Sequence, residues 1–329
     1  SDIELADHNA FEKVRSIETS LVNYGFEILI GGRPLPQQSP WTLDLSLSLA
    51  MNKDVIAKLP NEARQIINSD AKIINRLGSN ALANYLLVNK GVYATDEDVP
   101  VNPATGERMK AANNKNNGYV YMQAGDPIWV DVNGDYIIDD KDKVVVGNSQ
   151  PRLTGGFNAN LRYKSFSINT NFSFTIKRDI INKALADRFA AYGNPLSKDL
   201  NGSGAITPIE AFDFWKEDHI YAKYPNPFDY IRGGTADHQV NFFRPDQTLF
   251  MEDGSFLKIN GVSISYVLPK KVLDFLRVER VQLNASVNNI YTFSKYSGVN
   301  PENVNSLGYD VSGGYPNSRN YTMGVSIDF

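Results

Sequence analysis

The chain of 329 residues has no cysteine. That excludes a disulfide framework, thiol catalysis and thiolate metal sites. It has three histidines, His8, His219 and His238, with no His-x-x-x-His pairing. They read as loop histidines held by hydrogen bonds or solvent. No stretch approaches the roughly 20 apolar residues that a membrane helix needs. Cations do not exceed acids: 33 Lys and Arg stand against 37 Asp and Glu, for a net charge of -4. A basic footprint is missing, so nucleic acid is not an expected partner. There is no Gly-x-Ser-x-Gly elbow, phosphate loop or dinucleotide fingerprint, and no enzyme activity is expected. No charged segment followed by an apolar one opens the chain at Ser1. An exported protein needs such a signal, which predicts that the natural N-terminus lies upstream and that the chain is a fragment.

A mean hydropathy of -0.33 would suit a soluble protein. A transmembrane barrel has the same average, because its strands alternate apolar and polar residues. Alternation is the main positive signal here. Trp41, Leu43, Leu45, Leu47, Leu49 and Met51 share one phase, and Thr42, Asp44, Ser46, Ser48, Ala50 and Asn52 share the other. Leu153, Phe157, Ala159, Leu161 and Tyr163 repeat the pattern. After a tight turn at Lys164-Ser165 it continues through Phe166, Ile168, Phe172, Phe174 and Ile176. Such a hairpin has strands of about 12 residues, enough for the ~9–11 of a tilted membrane strand.

The spacing predicts seven spanning strands, at 20–30, 41–52, 152–163, 166–177, 256–268, 281–293 and 320–329. Within 256–268 the apolar phase flips at Asn260-Gly261, which predicts a β-bulge. Turns between strands are short at 31–40, 164–165 and 269–280, the last with a helical turn at Lys270–Leu276. They are long at 53–151, 178–250 and 294–320. Short turns on one side and long loops on the other are the outer-membrane barrel layout. It puts the long loops outside the cell and the short turns in the periplasm. Aromatics near strand ends, among them Trp41, Tyr163, Phe166, Tyr266, Tyr291, Phe293 and Tyr321, suit membrane girdles. A soluble β-sandwich would explain the alternation, but not the strand length or the loop asymmetry.

The residues opposite the apolar phase, including Asn158, Asn160, Arg162, Asn169, Asn171, Gln282, Asn284 and Asn288, would line a wet lumen. Asp131, Asn133, Asp135, Ile137 (through its carbonyl), Asp139 and Asp142 stand at positions 1, 3, 5, 7, 9 and 12 of an EF-hand-like loop, the spacing of a structural Ca²⁺ site. Tyr136 occupies position 6, where glycine normally allows the sharp turn. Asp213, Glu217 and Asp218 beside Trp215 read as a solvated helix face, with a helix start at Thr207-Pro208-Ile209-Glu210, rather than as a glycosidase acid pair. The stretch Phe212, Phe214, Trp215, Tyr221, Tyr224, Phe228 and Tyr230 suits loop packing or docking of another protein before sugar or peptide binding.

Several stretches in order resemble the SusC/RagA family of TonB-dependent outer-membrane transporters: Asn23-Tyr24-Gly25-Phe26-Glu27, the run Gly125–Asp135 continuing to Pro151, Glu252–Lys258 leading to Tyr266 and Pro269, Asn288–Glu302, and Tyr315-Pro316 with Arg319 up to Phe329. The resemblance implies the C-terminal seven or so strands of a 22-stranded antiparallel barrel. It implies that the whole of 1–329 is barrel and loops, with the plug, the earlier strands and the TonB-contacting segment upstream. It also implies active import of oligomeric nutrients, oligosaccharides or oligopeptides, at the bacterial outer membrane beneath a SusD-like surface lipoprotein. A passive porin or adhesin barrel is the alternative reading, and an outer-membrane enzyme a more distant one.

Overall fold

The computed structural model describes residues 2–5, 13–16, 19–68, 73–81, 83–113, 118–192, 209–228, 240–310 and 317–329. Its frame is one antiparallel sheet of seven strands: β1 (Ser20–Gly32), β2 (Trp41–Lys58), β3 (Leu153–Tyr163), β4 (Phe166–Ile176), β5 (Phe256–Val267), β6 (Arg280–Ser294) and β7 (Asn320–Asp328). Each strand pairs with the next in sequence, so β1 and β7 are the two edges. All seven expected strands form.

Register turns seven separate alternations into one surface. Tyr163 pairs with both Trp41 and Phe166, and Leu161 with Leu43 and Ile168. Phe166 pairs with Tyr266, Tyr266 with Leu283, and Leu283 with Val325. Side chains directly opposite across a ladder share a face, so the apolar stripe runs unbroken from β1 to β7. The polar stripe does the same: Asp44 pairs with Asn160 and Asn160 with Asn169, then Ser263, Ser286 and Thr322 follow. At the short-turn end the Trp41 and Tyr163 rings stack with centroids 4.2 Å apart.

The bulge forms where the phase flips. Gly261 pairs with Asn171 and Ile259 with Phe172, leaving Asn260 as the extra residue of β5. Opposite it, β6 carries an irregularity of its own, with Asn289 at a left-handed φ of 54°. One difference from expectation is the length of β2. It runs to Lys58, where its pairing with Ser20 ends, although alternation stops near Asn52. The backbone ladder continues past the apolar stripe, and Asp54 and Ile56 there are buried among the long connections.

The core does not lie on the sheet. Its largest buried side chains, among them Trp129, Phe189, Phe214, Phe242 and Phe250, all belong to the long connections. The apolar face of the sheet stays open: Met323 is 87% exposed, and Ile30, Tyr321 and Val325 are exposed as well. A soluble sandwich would cover this face with a second layer. Among the described residues no such layer exists, and the fold is that of a barrel wall. Among the described residues no helix is long and apolar enough to cross a membrane.

The long connections are built rather than loose. They hold short strands such as Ala83–Leu86, Asn89–Val92, Pro127–Trp129 and Asp179–Ile181, and a helix, α1 (Lys183–Tyr192). The expected turn helix α2 (Lys270–Leu276) joins β5 to β6.

If the apolar stripe meets lipid, charge placed on it is costly and charge on the other face is not. Leu47→Arg, mid-strand between Ile30 and Phe157, is expected to destabilise the barrel by about 2–4 kcal/mol in a bilayer. Ser46→Arg, on the polar face, is expected to cost little. Denaturant titration of the folded transporter in lipid vesicles checks this; equal costs for the two would refute the assignment of faces.

Candidate functional site

Three constellations from the sequence can be placed. The first is the acidic loop. Asp131 accepts N–H bonds from Gly134 (2.7 Å) and Tyr136 (2.8 Å) through its two oxygens. Asn133 accepts from the Asp135 amide, and Asp135 from the Ile137 amide. Asp142 is fully buried and accepts from Val132 and Asp139. Burial pushes the Asp142 carboxyl up from its ordinary value; those two N–H bonds oppose the shift, while the Asp131 and Asp139 charges add to it. Tyr136 adopts φ 62°, the left-handed turn that glycine usually supplies. Its ring packs on the cluster containing Trp129 and Ile138, which offsets the strain. As placed, the carboxylates serve hydrogen bonds within the loop. Among the described residues no three His, Cys, Asp or Glu side chains converge to hold a metal ion.

The second constellation is aromatic. Phe212, Phe214 and Tyr224 meet around Phe189 of α1, with ring centroids 4.7–4.8 Å from its own in edge-on contacts. Phe243 and Phe250 complete the cluster. The Trp215 indole donates to the Ala94 carbonyl. Most of this stretch therefore packs the connections together. Tyr221, 81% exposed, and Phe228 remain at the surface; Tyr230 lies outside the described residues. The expected helix around Asp213 does not form. Ile209–Ala211 is a single 3₁₀ turn, and Phe214–Tyr224 and Lys216–His219 bridges make a tight loop instead. Asp213 accepts from His219 (2.7 Å) and from the Lys223 amide, so its local bonds favour the turn over a helix. Thr207, Pro208, His8 and His238 lie outside the described residues.

The third constellation is the polar face of the sheet. Asp44 accepts from Arg33 (2.8 Å) and Arg162 (2.6 Å). Asn158 reaches Ser46, and Gln282 reaches Asn284. A shallow groove of about 320 Å³ on this face is lined by Ser167, Asn169, Ser263, Ser265, Asn284 and Ser286, among others.

A fourth feature had no sign in the sequence: a buried ion network joining two long connections. Asp246 lies between Lys143 (2.8 Å) and Arg244 (2.7 Å), and Lys143 also reaches Asp140 (2.8 Å). Beside it Gln247, fully buried, accepts from the Trp129 indole (2.8 Å). Burial pushes the Asp246 carboxyl up, but the bonds and charges of Arg244 and Lys143 outweigh it and hold the group well below the ordinary carboxylate range. These residues are about 100 positions apart in sequence and follow no short motif, so only the fold brings them together.

No family model matches the chain. Along its whole length it is 22% identical to TonB-dependent receptor P39 of Formosa agariphila, covering 32% of that protein. It is 26% identical to receptor P3 of the same organism, over 94% of the chain and 29% of the relative. It is 25% identical to TonB-dependent receptor SusC of Bacteroides thetaiotaomicron, over 94% of the chain and 26% of the relative. The RagAB peptide transporter structure superposes on 98% of the chain at a TM-score of 0.66 and 20% identity. The RagAB peptide importer in its 'open-open' state does so over 100% at 0.67 and 18%. In both, the chain covers 31% of the solved chain. The chain thus spans about a third or less of the proteins it matches. Its fold defines the class, a portion of a β-barrel wall. Within that class the resemblance to the SusC/RagA family holds, in order of sequence and in fold.

Removing Asp246 leaves Lys143 and Arg244 to share Asp140, at 2.8 and 3.6 Å, as their remaining counter-ion. Asp246→Ala is expected to destabilise the long connections by about 3–5 kcal/mol. A carboxyl depressed in the folded state stabilises it above the unfolded value of about 4, and that contribution is lost as pH falls below it. Wild type should therefore gain protease sensitivity in these connections on acidification, and the variant should already show it at neutral pH. Unchanged proteolysis of the variant would refute the network's role.

Proposed function

We propose that this chain forms part of the wall and the outer loops of a TonB-dependent importer in the bacterial outer membrane. The observation that carries this reading is the pairing of one open apolar face with long connections that build their own core at one end. A bilayer covers the face, and the built connections make a surface outside the cell. Similarity to TonB-dependent receptors along the chain supports it. The intact protein would have 22 strands, of which these are the last seven. Edges β1 and β7 would pair with strands upstream, and the polar face with its groove would meet a plug. Import would be driven by TonB through that upstream part, and the chain itself would carry out no reaction. The cargo would be an oligopeptide or an oligosaccharide; the likeness to the RagAB peptide transporter supports the first. A SusD-like lipoprotein would close over the connections, with exposed Tyr221 and Phe228 among the docking contacts.

The test is purification of the native transporter in mild detergent, with mass spectrometry of what accompanies it. A surface lipoprotein and a trapped oligomer are expected, and Tyr221→Ala with Phe228→Ala should lower the yield of lipoprotein. A transporter that purifies with neither would sink the importer reading and leave the porin or adhesin.

A second reading concerns the acidic loop. We propose that it takes Ca²⁺ on Asp131, Asn133, Asp135, the Ile137 carbonyl, Asp139 and Asp142, in a structural role. The left-handed Tyr136 favours this, because it gives the loop the turn that such sites need at that position. Calorimetry should show Ca²⁺ binding that Asp131→Ala abolishes. A wild type that gives no heat with Ca²⁺ would refute it.

A further inference from the structure

The turn between β5 and β6 carries an apolar helix face with no partner. In α2, Val272, Phe275 and Leu276 have the i, i+3, i+4 spacing of one face. All three are exposed, Phe275 at 85%. Three cations lie in or beside the helix, Lys270, Lys271 and Arg277, against two acids, Asp274 and Glu279. None of the three is in an ion pair among the described residues, although the chain as a whole is acidic. Arg277 closes the helix in the left-handed conformation at φ 55°.

The position of α2 relative to the wall follows from Val281. This residue pairs with Ile327 and shares its face with Leu283, so it points to the apolar side. Leu283 and Ile327 are exposed there, but Val281 is only 5% exposed. Leu268, the residue that leads into α2, donates its N–H to the Val281 carbonyl, and the Val278 amide returns to the Leu273 carbonyl. Val281 is thus buried at the turn end of the apolar stripe, where Leu268 stands opposite it. One step along the strands lies the row Trp41, Tyr163, Phe166, Tyr266 and Leu283, the aromatic end of the apolar stripe.

We propose that α2 is an interfacial anchor: it lays Val272, Phe275 and Leu276 at the headgroup boundary of the phospholipid leaflet on the short-turn side, and its cations bind anionic headgroups there. Two observations select this occupant. The apolar helix face sits at the turn end of the stripe that lipid covers, and Lys270, Lys271 and Arg277 complement anionic lipid. An aromatic and aliphatic face rimmed by Lys and Arg is the composition of helices that lie in a membrane interface. Each cation near an anionic surface adds about fivefold to binding. The proposal rests on the barrel reading of the sheet.

The test uses the full transporter in nanodiscs, either purely phosphatidylcholine or with phosphatidylglycerol added. An environment-sensitive fluorophore is placed at Phe275→Cys, with Leu47→Cys as the mid-wall reference and Tyr221→Cys as the exposed one. Quenching is read with aqueous iodide and with lipids carrying a nitroxide near the headgroup. The expected result is a 275 label quenched by the lipid probe, shielded from iodide relative to 221, and shielded further when phosphatidylglycerol is present. Lys270→Glu with Lys271→Glu should remove the phosphatidylglycerol dependence. If 275 is as open to iodide as 221, the helix stands in water and the proposal fails. If 275 is shielded from both quenchers, an upstream part of the protein covers it and the proposal also fails. A Leu47 label that no lipid probe reaches would instead bring down the barrel reading itself.

Discussion

A strand that crosses hydrocarbon has no water to bond its backbone, so every N–H and C=O must find a partner in the next strand. That requirement fixes the rest of this structure. It demands an unbroken ladder, and the ladder sets the register. Register then decides whether Leu47 meets Ile30 and Phe157 or a polar neighbour. A slip of one residue anywhere would turn a whole strand's leucines into the lumen and its asparagines into lipid. Seven strands satisfy the condition together, and among the described residues the outer ladders of β1 and β7 have no partner.

The long connections obey a different rule. They stand in water and must bury enough side chain to hold a fixed shape. They do so around Phe189, Phe214 and Phe250, and around Trp129 and Phe242. Buried polar groups then tie the pieces together: Lys143, Asp246 and Arg244 join the first connection to the second, and Tyr296 donates to Asp310 at 2.5 Å within the last. A surface held this firmly can present Tyr221 and the acidic loop in constant positions, which a floppy loop could not. Rigidity lowers the entropy lost when another protein docks.

The wall was legible in the sequence and the connections were not, for a physical reason. A wall strand repeats one decision, lipid or water, at every second residue, so 12 residues of Trp41–Asn52 already declare it. The phase flip at Asn260 was visible for the same reason. The end of β2 was misjudged because the ladder to Lys58 outlasts the contact with lipid that the alternation records. In the connections each residue answers to a neighbour far away in sequence. Phe189 packs against Phe212 and Phe250, and Trp129 bonds Gln247. No local period reports such contacts, so α1 and the ion network had no signature. The helix expected at Thr207–Glu210 failed in its described part because Asp213 found better bonds in a turn.

The bulge shows that wall and connections are not independent. Val262, Ile264 and Tyr266 lie on even positions of β5, and Leu257 and Ile259 on odd ones. Without an extra residue, one set would leave the apolar face and Lys258 would take its place in lipid. With Asn260 inserted, both sets share the face, and Lys258 turns to the polar side opposite Ser173. There it is buried and reaches Glu302 of the last long connection at 2.6 Å. A cation that could not have been tolerated in the membrane becomes the tie between the wall and the structure above it. The insertion of Asn260 that corrects the register therefore also turns Lys258 toward the connections, and neither effect could be relaxed without the other.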